Sequence, residues 1–233
     1  MNSLATFLSC TLFGILGISA LYLASSTKRH EAIFVTPLVV DLNRNGKIDL
    51  ISAFNEKTPV YFNFNGDPYK VRTGWVGTGD GLLVLDVNKN GVIDNGTELF
   101  GPYSKRQDER EKFFFIDGFE ALSTYDDAPK DNVINSADKV FARLLVWRDK
   151  NSDGVSQKEE LISLEKAGIE SISLEAKTIN ANDNLYRNEG NEIRMTGTYM
   201  TKDKKTWMIA DVWLRQRSET DKDREYSSII KKK

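Results

Sequence analysis

The stretch LLVWRDKNSDGVSQKEELISLEK, residues 144–166, decides how the chain is read. Side-chain oxygens recur at every second place from Asp149 through Asn151 to Asp153. Gly154, Val155, Gln157 and Glu160 follow. Calcium is a hard cation that takes six to eight oxygens, and a tight loop supplies them at this spacing. Positions 1, 3 and 5 give side chains (Asp149, Asn151, Asp153), position 7 its carbonyl (Val155), and position 9 a side chain or water (Gln157). Position 12 gives a carboxylate, here Glu160, while a glycine at position 6 permits the sharp turn. Working outward, Ser136 is placed to cap a helix running through Trp147, with Val140, Phe141, Leu144 and Leu145 at helical spacing. Lys158–Lys166 reads as a second helix that closes at Gly168. The stretch therefore predicts an EF-hand-like helix-loop-helix.

The same spacing occurs elsewhere. Asp86, Asn88, Asn90, Gly91 and Asp94 repeat it, with Glu98 one place beyond position 12. Asp41, Asn43, Asn45, Gly46 and Asp49 repeat it again, with only Ser52 at position 12. Asp127–Asp138 is a worn copy carrying Pro129 at position 3 and Asn132 at position 6. One Asp-x-Asn-x-Asn-Gly alone could be an ordinary solvated turn. Three copies with an apolar residue in a shared phase (Ile48, Ile93, and Ile134 in the worn copy) point to a common ligand, Ca2+. Loops this rich in neutral Asn belong with the weak extracellular class, around 10⁻⁴–10⁻³ M. Empty loops would repel internally, so folding is expected to depend on calcium.

Composition excludes several alternatives. A single cysteine, Cys10, and a single histidine, His30, leave no disulfide, structural zinc site or Cys/His catalytic pair. The net charge of −2 gives no argument for a nucleic-acid partner. Leu4–Ala24 is an almost unbroken apolar run, long enough as a helix to cross a bilayer. It reads as a signal anchor or a signal peptide over residues 1–31, making the membrane a partner. Lys28 and Arg29 behind it favour a cytoplasmic end, whereas the weak calcium loops favour an extracytoplasmic soluble domain. Residues 32–214 form the domain, and the polar stretch 215–233 forms a tail. Within the domain, Val60–Phe64 and Tyr69–Arg72 flank Asn-Gly-Asp-Pro and predict a β-hairpin. Glu192–Met200 and Thr206–Leu214 predict two further strands, and the glycines of WVGTGDGLL (75–83) predict a tight loop.

The segments PLVVDLNRNGKID, TGWVGTGDGLLVLDVNKNGVIDNGTELFG, LLVWRDKNSDGVSQKEELISLEKAGIESISL and the closing ADVWL resemble the calcium-binding self-processing module of iron-regulated RTX proteins. The resemblance runs from about Pro37 to Leu214. It implies a module that folds on calcium and cleaves an Asp-Pro bond just before its start. The aspartate carboxylate attacks its own carbonyl, and a lysine amine can capture the resulting anhydride. Here the pair at that place is Thr36-Pro37, and a threonine hydroxyl cannot form that anhydride.

These readings give an α+β domain organised by calcium loops, with a helix-loop-helix, short β-hairpins and a preceding N-terminal hydrophobic helix. The expected function is calcium binding without catalysis. The alternative is calcium-dependent processing and lysine ligation at Asp67-Pro68.

Overall fold

From residue 34 on, turn-forming Asn, Asp and Gly residues cut the chain into short apolar runs, most of them too short for stable helices but long enough for strands. The computed structural model describes residues 34–105, 114–179 and 187–217. Contacts divide the chain after Glu31, and the fold below is that of the unit Ala32–Lys233. Its first strands are β1 (Phe34–Val35), β2 (Leu38–Val40), β3 (Leu50–Ile51), β4 (Val60–Phe62), β5 (Val71–Thr73), β6 (Trp75–Val76) and β7 (Gly81–Leu85). The single α-helix among the described residues, α1 (Gly118–Ser123), follows. Then come β8 (Val133–Asn135), β9 (Leu144–Trp147), β10 (Leu161–Ser163), β11 (Ile169–Ser173) and β12 (Lys177–Thr178). The last are β13 (Arg187–Asn188), β14 (Asn191–Thr201) and β15 (Thr206–Arg215).

The strands form a mainly antiparallel half-barrel. Its path is β10-β9-β7-β2-β15-β14-β11-β8, with β1 added against β15 and β12 and β13 against β14. β4 pairs with β5, and β3 with β6, in two small ribbons beside it. The β14–β15 hairpin, with Tyr199 opposite Trp207 and Glu192 opposite Trp213, is its longest pairing.

Side chains alternate along each strand, and here both sides are covered. Leu38 and Val40 of β2, Leu83 and Leu85 of β7, and Leu144 and Val146 of β9 enter one core with Phe119 and Leu122 of α1. Val39, Leu82, Val84 and Trp147 enter a second core with Phe62, Phe64 and Trp75. In the second core the Phe62, Trp75 and Trp147 rings pack with centroids 5.2–5.7 Å apart. Each such ring or branched chain contributes about 1.5–3 kcal/mol by leaving water.

This architecture corrects the expected α+β fold. No helix-loop-helix surrounds residues 149–160. Leu144–Trp147 is strand β9, and Leu161–Ser163 returns beside it as β10, with Leu161 opposite Trp147. What remains helical is one 3₁₀ turn on each side, Phe141–Arg143 and Lys158–Glu160. The physical reason is burial on two faces. A strand covered on both sides is apolar at every position, and over four residues it cannot be told from a helix. No helix among the described residues is long and apolar enough to cross a membrane. The apolar run at 4–24 and most of the expected tail lie outside the described residues.

Candidate functional site

The loop from Asp149 to Glu160 is held together by its own acids. Asp149 is fully buried and accepts from the N–H groups of Asp153 (3.3 Å) and Gly154 (2.9 Å) and from Trp75 Nε1 (2.8 Å). Burial, followed by the charge of Glu160 among the raising influences, holds its carboxyl above the usual range. Asp153 accepts from Val155 N (2.8 Å), from Asn151 Nδ2 (2.8 Å) and from Gln157 Nε2 (3.0 Å). Glu160 closes the loop. Its two oxygens accept from Lys150 N (2.8 Å) at one end, and from Gln157 N (3.3 Å) and Trp147 Nε1 (3.2 Å) at the other.

The other copies repeat the backbone bonds to the first aspartate, while their side-chain bonds converge on the acid at position 9 instead of position 5. Asp86 accepts from Asn90 N and Gly91 N, and Asp41 from Asn45 N and Gly46 N. Asp94 accepts the side-chain amides of Asn88 and Asn90 at 2.8 Å each, and Asp49 accepts those of Asn43 and Asn45 at 3.4 Å. The fourth and sixth residues turn through the left-handed region. Arg44, Lys89 and Ser152 have φ of 61°, 62° and 56°, and Gly46, Gly91 and Gly154 have 80°, 85° and 68°. Two neighbouring N–H groups are thereby aimed at the first aspartate. Glu98 accepts from Val87 N, Asn88 N and Asp94 N, so the acid one place beyond position 12 does close the second loop.

Two loop acids, Asp80 and Asp126, escape a linear reading. The first loop has no acid near position 12, and Asp80 does the work from the glycine turn before β7. It accepts from Leu42 N (3.2 Å) and Asp49 N (2.7 Å), one bond to each end of the loop. Asp80 is fully buried, and burial, with the charges of Asp49 and Asp41, pushes its carboxyl up to about 6. The worn copy begins one residue earlier than its spacing suggests. Asp126 accepts from Asn132 N, and Asp138 ties Asp127 N and Ala128 N to Asn135 N. One extra residue is inserted at Ala128-Pro129, a cis bond, and Asn132 takes the glycine's place with φ 64°. Asp127 instead pairs with Lys139 at 2.8 Å. An acid among closely spaced glycines, 77–81, was the available signal for Asp80.

Among the described residues no group of three or more His, Cys, Asp or Glu side chains is arranged to hold a metal ion. With the missing helix pair, this corrects the expectation of EF-hand-like calcium sites and of calcium as cofactor and partner. The acids and amides of the repeat also serve as loop acceptors and donors, and Val155 is about half exposed. The apolar residues of the repeat do lie inside: Ile48 and Ile93 are each 4% exposed and Ile134 is fully buried. In the third loop that place is Ser156, whose hydroxyl accepts from Ile93 N at 2.6 Å and joins two loops.

The junction before β2 is the other feature of interest. Thr36 is buried, and Leu38 N donates to Phe100 O while Val212 N donates to Pro37 O. Gly101 lies against the Thr36 carbonyl so closely that a Cβ there would stand 2.5 Å from its oxygen. Asp211 of β15, fully buried, accepts from Gly118 N at 2.8 Å. Burial, with the charge of Asp117, pushes its carboxyl up to about 7, and the nearby Trp213 and Thr36 side chains hold it down. Even so, Thr36 Oγ1 and Asp211 Oδ1 complete no hydrogen bond of ordinary geometry. Asp67-Pro68, by contrast, sits in the β4–β5 turn. Its carboxylate accepts from Tyr69 N and Asn65 Nδ2, as in an ordinary Asx turn. The alternative of calcium-dependent processing there is corrected by the lack of a metal-holding group among the described residues.

Residues 38–215, which begin two positions after Thr36 and end with β15, match the SPM domain. The chain belongs to the SPM domain family. This SPM domain is similar to the iron-regulated protein FrpA of Neisseria meningitidis serogroup C, with 40% identity over 178 residues. That alignment covers 76% of the chain and 15% of FrpA, so the chain spans a small part of the curated relative. The kinship supports a relative of iron-regulated proteins and is consistent with an extracytoplasmic domain. The β-rich half-barrel corrects the expectation that such a relative is built as an EF-hand-like calcium-loop module.

Proposed function

We propose that this chain is a non-processing SPM domain, an exported folded module that keeps the bond at its own entrance intact. The observation that carries the reading is Thr36, directly before Pro37. An aspartate there could attack its own carbonyl through a five-membered ring and release the proline nitrogen. Threonine has its oxygen on Cβ, so the same attack would need a four-membered ring. Its hydroxyl is also a far weaker nucleophile than a carboxylate at neutral pH. The surroundings favour retention as well: the Thr36 carbonyl is packed against Gly101, and Pro37 is bonded into β15. The module then contributes a rigid surface and a fixed chain direction instead of a cleavage event.

Intact-mass measurement of the purified full chain, held for days at neutral pH, tests this. The expected result is one unchanged mass. A fragment beginning at Pro37, or a lysine-linked adduct of the portion ending at Thr36, would overturn the proposal. Thr36→Asp serves as a positive control for the assay: cleavage before Pro37 in that variant alone would place the inactivity on this one side chain.

A further inference from the structure

A cavity of about 370 Å³ lies between the end of β7, the last residue of the turn after α1 and the worn loop. Neither the loop closures nor the junction uses it. Its floor is apolar: Leu85 and Val140 are almost fully buried, and the Tyr125 ring packs edge-on against Phe100 at 5.7 Å. Its rim is basic, formed by Lys105, Lys139 and Arg143. One acid, Asp127, also lines it, and that acid is committed to Lys139. The side chains of Lys105 and Arg143 make no hydrogen bond or ion pair with any described residue. Arg143 is close enough to the Tyr125 phenol to lower the pKa that burial raises.

Among the described residues, Lys105 and Arg143 have no carboxylate partner, and they stand together at the rim of an apolar floor. The volume falls near the lower end of the range for small-molecule pockets, roughly 300–1,000 Å³. Apolar walls with a few convergent polar groups fix both the body and the head of a ligand. Arginine is the side chain best matched to a planar carboxylate, which it meets through two parallel N–H donors.

We propose that this cavity binds a small organic carboxylate, with its apolar body on Leu85, Val140 and Tyr125 and its charge between Arg143 and Lys105. The site is separate from the junction, so it stands whether or not the bond at Thr36 is retained. Equilibrium dialysis of the purified full chain against benzoate tests it, with benzamide as the neutral probe of the same shape. Benzoate is expected to bind once per chain, and benzamide at least tenfold more weakly. Arg143→Ala and Lys105→Ala should each weaken benzoate at least fivefold, while Lys47→Ala, in the exposed first loop, should not change it. Equal retention of benzamide, full-strength binding by Arg143→Ala, or no benzoate binding would each overturn the proposal.

Discussion

The first and third loops share the backbone hydrogen bonds to their first aspartates but are closed from different places in the chain. Glu160 closes the third loop from its own end, and its oxygens also receive the Trp147 indole. Asp80 closes the first loop from the glycine turn before β7, 31 residues beyond Asp49, through two backbone bonds. The third loop is therefore a local unit that can form once β9 and β10 meet. The first loop is complete only when two separate segments have come together, so its closure depends on tertiary folding. A buried acceptor serves equally well from either source, because geometry at the two N–H groups is all the loop requires.

The largest test of that comparison is Glu160→Ala. It leaves two backbone N–H groups and an indole N–H without their acceptor in a buried site, and should cost about 4 kcal/mol. Asp80→Ala removes two such bonds and should cost about 3 kcal/mol. Urea unfolding measures both. If Asp80→Ala were neutral, closure from a distance would not hold the first loop.

pH acts on two buried acids together. Asp80 and Asp211 have folded pKa values of about 6 and about 7, above the usual carboxylate value near 4. A group raised on folding contributes stability that is complete below its unfolded pKa and is lost as pH rises through its folded one. Stability should therefore fall by about 5 kcal/mol between pH 4.5 and 7.5. Asp80→Asn should remove the part of the decline near pH 6, and Asp211→Asn the part near pH 7. A profile that rises across this window would show that neither acid is held neutral. The smallest expected change is Ser156→Ala, about 1 kcal/mol, from loss of the acceptor for Ile93 N between the second and third loops.

The repeat was legible because its spacing is dictated within a dozen residues. The first aspartates, the glycines with positive φ and the buried Ile48 and Ile93 all follow from it. The strands around it were less legible. Leu144–Trp147 is buried on both sides, so its alternation is hidden, and Val140 and Phe141, which gave the apparent helical spacing, belong to a turn instead. Asp80 could not be assigned to the first loop by spacing, since no local rule links residues 80 and 41. The worn copy was read one residue late because the insertion at Pro129 shifts its first aspartate to Asp126. The Thr36–Asp211 neighbourhood depends on β15 returning beside β2, with Asp211 opposite Leu38. No stretch of chain contains both halves of it.

β7 lies between the two cores, with all five residues buried and its side chains alternating into one and the other. It works as a shared wall: neither compartment can be opened without stripping one face of the partition that seals the other. Two apolar interiors built on one strand have little freedom to melt separately, so damage far out in either is transmitted to the centre and felt by both.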